Sequence, residues 1–251
     1  MERDIAAVAA RLANARRVTV LSGAGISTDS GIPDFRGPQG TWTLDPRAQR
    51  LATLSHYLDD PEVRVESWRR RLENPAWTAQ PNAGHRALVE LERSGRLNAL
   101  LTQNIDELHQ RAGSDPSLVI ELHGSIYGTE CLSCGARGEM ADALSRVRAG
   151  EQDPPCRECG GIIKSTTISF GQALDVTVLE RARDAAETAD VLLAVGSSLT
   201  VHPAAGLVGL AAQAGADVVI VNAEPTPYDG LAWAVLRGPL SEVLPDLVAG
   251  A

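Results

Sequence analysis

Short runs of β-branched or other apolar residues recur along the chain and predict the strands of a buried sheet. There are five such runs, at residues 18–21, 99–101, 118–122, 191–195 and 218–221. Near-continuous apolar runs of this kind are typical of parallel strands covered on both faces. Segments with apolar residues at helical spacing lie between them, at 83–93, 179–188 and 204–214. The alternation predicts an α/β fold with a doubly wound, Rossmann-like parallel sheet.

Polar or glycine-rich clusters follow every one of these runs. They lie at residues 22–25, 102–106, 123–124, 196–198 and 222–224. In an open α/β sheet the carboxyl ends of the strands form the edge where ligands bind, because strand order reverses there and opens a crevice. One extended ligand could therefore contact all five clusters.

Two stretches break the alternation and predict a smaller domain inserted into the sheet domain. We expect one catalytic unit over 1–251, with its large Rossmann-like part at 1–31, 81–126 and 169–251. The small domain would combine a helical insertion at 32–80 with a zinc ribbon at 127–168.

The four cysteines form two pairs of identical spacing, Cys131 with Cys134 and Cys156 with Cys159. This spacing is typical of a zinc ribbon, in which four thiolates complete a tetrahedron. Gly135 and Gly160 follow the pairs and permit the tight turns that wrap the metal. Four thiolates leave no open coordination position, so we expect one structural zinc ion and no Lewis acid.

The glycine loop Gly23-Ala24-Gly25 follows the first strand, where backbone amides could approach a phosphate closely. The dinucleotide fingerprint needs a third glycine where this chain has Thr28, and Pro33 argues against one long helix continuing from the loop. A hydride-transfer dehydrogenase is therefore disfavoured. A tight turn without any ligand remains the alternative for these glycines alone.

His123 directly follows the third strand, which brings an imidazole to the ligand edge. A histidine is suited to accept a proton near neutral pH, and the alternative is a purely structural role. We interpret the other histidines as structural: His56, His85, His109 and His202.

The formal net charge is −9, from 32 acidic and 23 basic residues. This charge argues against a general nucleic-acid or membrane surface. Lys164 is the only lysine, a scarcity that codon bias explains. The N-terminal segment lacks the apolar core of a signal peptide, and no uncharged apolar run reaches the length of about 18 residues that a membrane span needs. We expect a soluble, cytoplasmic protein.

Taken together, the motifs at 23–36, 102–106, 123–124 and 196–199 and the paired cysteines resemble the sirtuin family. The resemblance implies three parts of an NAD site. Ala24, Asp34, Phe35 and Arg36 would belong to a flexible NAD-binding loop, and Gln103, Asn104, Ile105 and Asp106 would form the nicotinamide and ribose pocket. The adenosine half would be held by Gly196, Ser197, Asn222 and Glu224. The cofactor-binding residues it implies are Gly23, Ala24, Gly25, Asp34, Phe35, Arg36, Gln103, Asn104, Ile105, Asp106, Gly196, Ser197, Ser198, Asn222 and Glu224.

The resemblance also implies the reaction, NAD-dependent deacetylation of protein lysine. The acyl oxygen attacks the nicotinamide ribose, nicotinamide leaves, and His123 acts as general base on a ribose hydroxyl, with Asn104 and Asp106 as further catalytic residues. NAD would be consumed, and the products would be free lysine, nicotinamide and acyl-ADP-ribose. A mono-ADP-ribosyltransferase and an NAD-sensing binding module remain as alternatives.

In similar proteins an acetylated peptide lies as an extended strand between the two domains, which here implies contacts near Ile168, Phe170 and Gly171. Gln172 stands where an acidic residue is usual and Ser165 where proline is common, so flanking-sequence preference is open. Family members that remove succinyl groups resemble one another in a Tyr-x-x-Arg pair. If Arg70 takes the arginine position here, Ser67 replaces the tyrosine, which favours acetyl.

Overall fold

The computed structural model describes residues 4–38, 40–45 and 47–249; residues 1–3, 39, 46, 250 and 251 lie outside the described part of the chain. Nine strands are described: β1 (Val18–Ser22), β2 (Leu97–Thr102), β3 (Val119–Glu121), β4 (Gly128–Cys131), β5 (Arg137–Glu139), β6 (Ile163–Ser165), β7 (Val191–Val195), β8 (Asp217–Val221) and β9 (Ala234–Leu236).

The helices alternate with the strands along most of the chain. The α-helices are α1 (Ile5–Asn14), α2 (Thr41–Leu44), α3 (Ala48–Leu51), α4 (Leu54–Asp59), α5 (Pro61–Leu72), α6 (Ala83–Arg93), α7 (Leu108–Ala112), α8 (Met140–Arg148), α9 (Val176–Glu187), α10 (Gly206–Gln213) and α11 (Leu240–Ala249). Two 3₁₀ helices span Ala24–Ser30 and Pro75–Trp77.

Six strands form one sheet in the order β3-β2-β1-β7-β8-β9, and every neighbouring pair is parallel. This confirms the predicted doubly wound parallel sheet and adds a sixth strand, β9, that the hydrophobic pattern did not predict. Chain order runs outward in one direction from β1 to β3 and in the other from β7 to β9. The switch point, where ligands bind in such sheets, is therefore the junction of β1 and β7.

Both faces of the sheet are covered, which explains why its strands are mostly apolar. Val20 and Leu193 belong to the core on one face, together with side chains of α1, α6 and α11. Leu21 and Leu192, one position away, belong to the core on the other face with α9 and α10. Helix α6 begins at Ala83, as predicted, because the side chain of Asn82 caps its first turn.

A second, antiparallel sheet of three strands has the order β5-β4-β6 and carries the cysteines. Trp68 of α5 is fully buried in a third core, which it shares with Met140 and Leu144 of α8 and with Cys131 and Cys156. The helical insertion and the cysteine-bearing segment thus pack on each other. Among the described residues no helix has the length and apolar character needed to cross a membrane.

Candidate active site at the carboxyl edge of the sheet

The loops that follow β1 and β7 pack directly against each other at the switch point. The amide of Gly25 donates to the carbonyl of Gly196 at 2.8 Å. A Cβ on Gly23 would lie 2.7 Å from the Gly196 carbonyl oxygen, and one on Gly25 would lie 2.8 Å from Gly196 Cα. Gly196 itself has a φ of +61°, in the left-handed region. These glycines are therefore required for loop packing, whatever phosphate approach they also permit.

The glycine loop continues into a 3₁₀ helix, Ala24–Ser30, which is capped by Gly31 with a φ of +84°. The helix stops before Pro33, as the sequence predicts. Ser27 lies on its buried side, with 1% of its surface exposed. The short helix thus brings a hydroxyl group beneath the loop that follows β2.

Ser27 joins Asn104 and Asp106 in one buried network. Its Oγ donates to Asp106 Oδ2 at 2.7 Å and accepts from Asn104 Nδ2 at 3.2 Å. The second amide hydrogen of Asn104 is directed to the Gly23 carbonyl at 3.2 Å. This fixes the orientation of the amide, because the reverse would set two carbonyl oxygens against each other. Oδ1 of Asn104 is therefore the atom left to meet a ligand.

Asp106 is a buried carboxyl, 5% exposed. Burial raises the pKa of Asp106, and hydrogen bonds from the Leu108 amide and from Ser27 oppose that rise. Each carboxylate oxygen thus has a donor, which favours the ionised form. Sequence reasoning predicted Asp106 and Asn104 but missed Ser27, although Ser27 stands within the motif that includes the glycine loop.

His123 follows β3 and is half-buried. Its Nδ1 lies 3.1 Å from the Gln103 carbonyl oxygen, which can only accept, so Nδ1 carries the proton and Nε2 has the lone pair. Burial lowers the pKa of His123, while the Gln103 hydrogen bond opposes the change. The ring is therefore neutral at pH 7 and presents Nε2 as a proton acceptor.

Both phenylalanines of the chain, Phe35 and Phe170, lie against Trp42, with ring centroids 4.8 and 5.3 Å from the Trp42 ring. The Arg36 guanidinium lies 4.5 Å from the centroid of the same ring. Asp34 closes the turn, because its Oδ1 accepts from the Gly37 amide at 2.8 Å. Two residues of the predicted cofactor loop thus meet the predicted peptide segment through Trp42, which the sequence did not single out.

The predicted adenosine residues are connected to the rest of the edge by side-chain hydrogen bonds. Gln103 Nε2 donates to Ser197 Oγ at 2.9 Å, which joins the loop after β2 to the loop after β7. Asn222 Nδ2 donates to the Glu224 carbonyl at 2.8 Å. Arg237, which sequence reasoning missed, donates to the carbonyls of both Asn222 and Glu224 at 2.8 and 3.1 Å.

Two further predicted cofactor residues make local contacts at this edge. The carbonyl of Ile105 accepts from the Ile126 amide at 3.0 Å, which connects the segments that bear Asn104 and His123. Ser198 Oγ lies 2.9 Å from Thr200 Oγ1. The structure therefore brings the predicted residues of all five clusters to one edge of the sheet.

His85 and His109 form a buried pair with ring centroids 5.0 Å apart. Burial lowers the pKa of His85 to about 4 and also that of His109, so both rings are neutral. His109 Nε2 lies 2.9 Å from Ser22 Oγ, which in turn donates to Thr102 Oγ1. The pair is part of the core beneath the loop after β2.

The four cysteine sulfurs converge, all within 4.8 Å of one another. The Sγ atoms of Cys131 and Cys159 are 3.5 Å apart and those of Cys134 and Cys156 are 3.8 Å apart. Zinc–sulfur bonds of about 2.3 Å give tetrahedral sulfur–sulfur edges of about 3.8 Å. A disulfide would bring two sulfurs to about 2.05 Å. The arrangement fits one zinc ion bound by four thiolates.

The two cysteine turns have the same backbone geometry. Gly135 and Gly160, which follow the pairs, both have a φ of +74°. Their amides donate to the carbonyls of Cys131 and Cys156, each at 2.9 Å. The positive φ confirms why glycine stands at these two positions.

The predicted peptide-binding segment leaves β6 and runs between the two sheets. The amide of Ile168 donates to the His123 carbonyl at 2.8 Å, and the amide of Phe170 donates to the Ala52 carbonyl at 2.8 Å. Gly171 is exposed, with a φ of +83°. Gln172 Oε1 accepts from the Ser169 amide at 3.2 Å, a bond that an acidic side chain could equally accept.

The helix α5 carries the residues on which the acyl preference was predicted. Arg70 forms ion pairs with Glu66 at 2.8 Å and with Asp45 at 2.9 Å, on a partly exposed face. Ser67, three residues before Arg70, is 4% exposed. If Arg70 takes the arginine position, the tyrosine of the pair is therefore absent from this chain.

A family model described as the Sir2 family matches residues 23–203. The NAD-dependent protein deacetylase 2 of Streptomyces coelicolor is 53% identical over 93% of this chain and 97% of its own length. A structure solved for the mechanism and regulation of Sir2 enzymes superposes with a TM-score of 0.90 at 41% identity, covering 100% of this chain and 98% of that one. A Sir2 complex with a deacetylated p53 peptide and 3′-O-acetyl ADP-ribose has a TM-score of 0.90 at 33% identity, covering 98% of each chain.

Proposed function

The chain belongs to the Sir2 family, and we propose that it is an NAD-dependent protein lysine deacetylase in which His123 is the general base. The observation that carries this proposal is the state of His123. Its Nδ1 is held on the Gln103 carbonyl at 3.1 Å, so a neutral ring offers Nε2 at the ligand edge. NAD supplies a ribose that releases nicotinamide and then accepts the acetyl group.

Within this proposal Asn104 assists the departure of nicotinamide. Positive charge develops on the ribose at that stage, and fixed dipoles stabilise it best when they need no reorganisation. Both amide hydrogens of Asn104 are occupied by Ser27 and Gly23, so Oδ1 is a preoriented acceptor. Asp106 maintains this orientation through Ser27.

We assign the adenosine half of NAD to the loops after β7 and β8, with Ser197, Asn222 and Glu224 as the polar contacts. The Gln103–Ser197 bond supports this assignment because it fixes the loop after β2, which would bind nicotinamide, relative to the loop after β7. The cofactor loop with Asp34, Phe35 and Arg36 would cover the reactive half. Phe35 is 41% exposed, so part of its ring is available for a bound ligand to cover.

The acetylated peptide is proposed to bind as an extended strand beside Ile168, Phe170 and Gly171, between the Rossmann-like part and the inserted part predicted from the sequence. Backbone hydrogen bonds would supply affinity with little dependence on side chains. The Ile168–His123 backbone bond supports this placement, since it connects the segment to the residue that bears the base. The four-cysteine zinc site is structural.

We further propose acetyl as the preferred acyl group. Burying a carboxylate without its partners costs several kcal/mol. Arg70 is already paired with Glu66 and Asp45 and has no tyrosine partner at position 67. A succinyl group would therefore lack the pair of side chains that compensates its charge.

The deciding experiment combines NAD with an acetyl-lysine peptide and follows nicotinamide release and peptide mass. Deacetylation predicts stoichiometric nicotinamide, free lysine and acetyl-ADP-ribose. A peptide heavier by one ADP-ribose would indicate a mono-ADP-ribosyltransferase, and nicotinamide release independent of the peptide would contradict the deacetylase. His123→Ala should lose most of the turnover, while the exposed His56→Ala serves as its matched control.

A further inference from the structure

Lys164, the only lysine among 23 basic residues, is 1% exposed at the centre of β6. An ammonium group in that position is costly unless its donors are satisfied. Its Nζ donates to the carbonyls of Ser165 and Thr167 at 2.7 and 2.6 Å. Nζ also lies 3.6 Å from Glu130 Oε1 on the neighbouring strand β4.

The two carbonyls bound by Lys164 belong to the segment 165–167, which connects β6 to the peptide-binding residues Ile168 and Phe170. The single ammonium group of Lys164 thus binds two carbonyls that are two residues apart in the chain. These carbonyls would repel each other if the cation were absent, because their negative ends converge on one point. The cation therefore fixes the backbone course of the segment.

Neighbouring side chains fix the same segment from other directions. Ser165 Oγ lies 2.6 Å from Thr167 Oγ1, and Arg71 Nη2 donates to Ser165 Oγ at 3.2 Å. The amide of Thr166 donates to the Gly128 carbonyl at 3.0 Å. Two residues further on, the amide of Ile168 donates to the His123 carbonyl.

We propose that Lys164 is a positioning residue for the acetyl-lysine substrate. It holds the peptide-binding segment 168–170 in the position in which Ile168 binds the His123 backbone. The inference rests on the proposed deacetylase function. Lys164 is 1% exposed, so we assign it no direct contact with peptide or NAD. Its effect passes through the carbonyls of Ser165 and Thr167 to the Ile168–His123 bond.

The test compares Lys164→Met, Lys164→Arg and Glu130→Gln in the zinc-loaded protein. Lys164→Met removes the cation that binds the carbonyls of Ser165 and Thr167. Its KM for an acetyl-lysine peptide should rise about tenfold, and its KM for NAD should change less than about twofold. Lys164→Arg should recover most of the peptide KM, because a cationic donor is restored. Glu130→Gln keeps both carbonyl bonds, so its peptide KM should stay within about threefold of wild type.

A spectroscopic measurement separates positioning from general structural support. Because the chain has one lysine, lysine labelled with ¹³C at Cε gives a single protein resonance. That resonance should shift when the unlabelled acetyl-lysine peptide saturates the protein, and stay unchanged with ADP-ribose alone. Circular dichroism and zinc content test whether Lys164→Met is folded. If it is not folded, the lysine resonance of the wild-type protein decides the proposal.

The outcomes distinguish the two proposals. Wild-type protein that releases no nicotinamide with any acyl peptide would overturn the deacetylase function. Active wild type, with an unaltered peptide KM in folded Lys164→Met, would overturn the role of Lys164 alone. An equal rise of the peptide KM in Glu130→Gln, or a lysine resonance insensitive to peptide, would likewise overturn it.

Discussion

Ser27→Ala removes the hydroxyl that holds the Asn104 amide and the Asp106 carboxylate together, without adding volume. Ser27 is 1% exposed, so water cannot readily replace the lost group. The variant loses the bond to Asp106 Oδ2 at 2.7 Å and leaves one hydrogen of Asn104 Nδ2 unpaired. Losing a hydrogen bond to a charged group costs about 2 kcal/mol.

If that cost falls on the transition state for nicotinamide loss, the rate drops about 30-fold, since each 1.36 kcal/mol is a factor of ten. Affinity for ADP-ribose should change little, because the proposed adenosine contacts at Ser197 and Asn222 are untouched. The Ser27 bond also lowers the pKa of Asp106. Its removal raises that pKa, so the fall in activity on the acid side should move to higher pH.

The assay is peptide-dependent nicotinamide release under saturating NAD, measured across a pH range, with ADP-ribose affinity from calorimetry. Ser114→Ala is the matched control, because Ser114 is 3% exposed and its hydroxyl has no hydrogen-bond partner within the described residues. A Ser27→Ala rate within threefold of Ser114→Ala would refute the reasoning. An equal loss of ADP-ribose affinity would also refute it.

The remaining predictions test the other assignments. His123→Ala should lower deacetylation by about 100-fold to 10,000-fold with NAD binding retained. Because burial lowers the pKa of His123, the base stays neutral and wild-type kcat/KM should hold as pH falls toward 6.5, whereas a fall centred above 6.5 would contradict that direction. Cys131→Ala should lower zinc content and thermal stability, measured by metal analysis and calorimetry, and a stable metal-free variant would be contrary evidence. Asn104→Ala should slow nicotinamide release more than it weakens ADP-ribose binding, so equal losses would count against its placement. The protein should remove acetyl faster than succinyl from lysine in peptides of the same sequence. The opposite preference would contradict the acyl assignment made from Arg70 and Ser67.

The sheet was predictable because burial on both faces leaves a direct trace in the sequence. Residues 191–195 are apolar at every position, and they form β7 as predicted. The strand β9, Ala234–Leu236, was missed because it is only three residues long and gives no period to detect. The opposite edge strand β3 is equally short, but the longer run of mostly apolar residues at 118–122 marked it in the sequence.

The site was predictable where chemistry depends on residue type and spacing. The spacing of the paired cysteines predicted that their sulfurs come together. The position of His123 directly after a strand predicted that it lies at the ligand edge of the sheet. Ser27, Trp42 and Arg237 were missed because their roles come from contacts across the fold, which a single sequence does not reveal. Because codon bias accounts for the excess of arginine, nothing in the sequence indicated that the only lysine, Lys164, is buried.

The burial of the only lysine also affects how the protein behaves as a reagent and as a target. Amine-directed chemistry, such as acetylation by acetyl phosphate, needs a deprotonated and accessible side-chain amine. The one side chain that could react is 1% exposed and bound by two carbonyls. An enzyme that works on acetylated lysine thus offers almost no lysine surface to the same modification. In an assay read with an antibody to acetyl-lysine, the signal would come from the substrate and not from the enzyme.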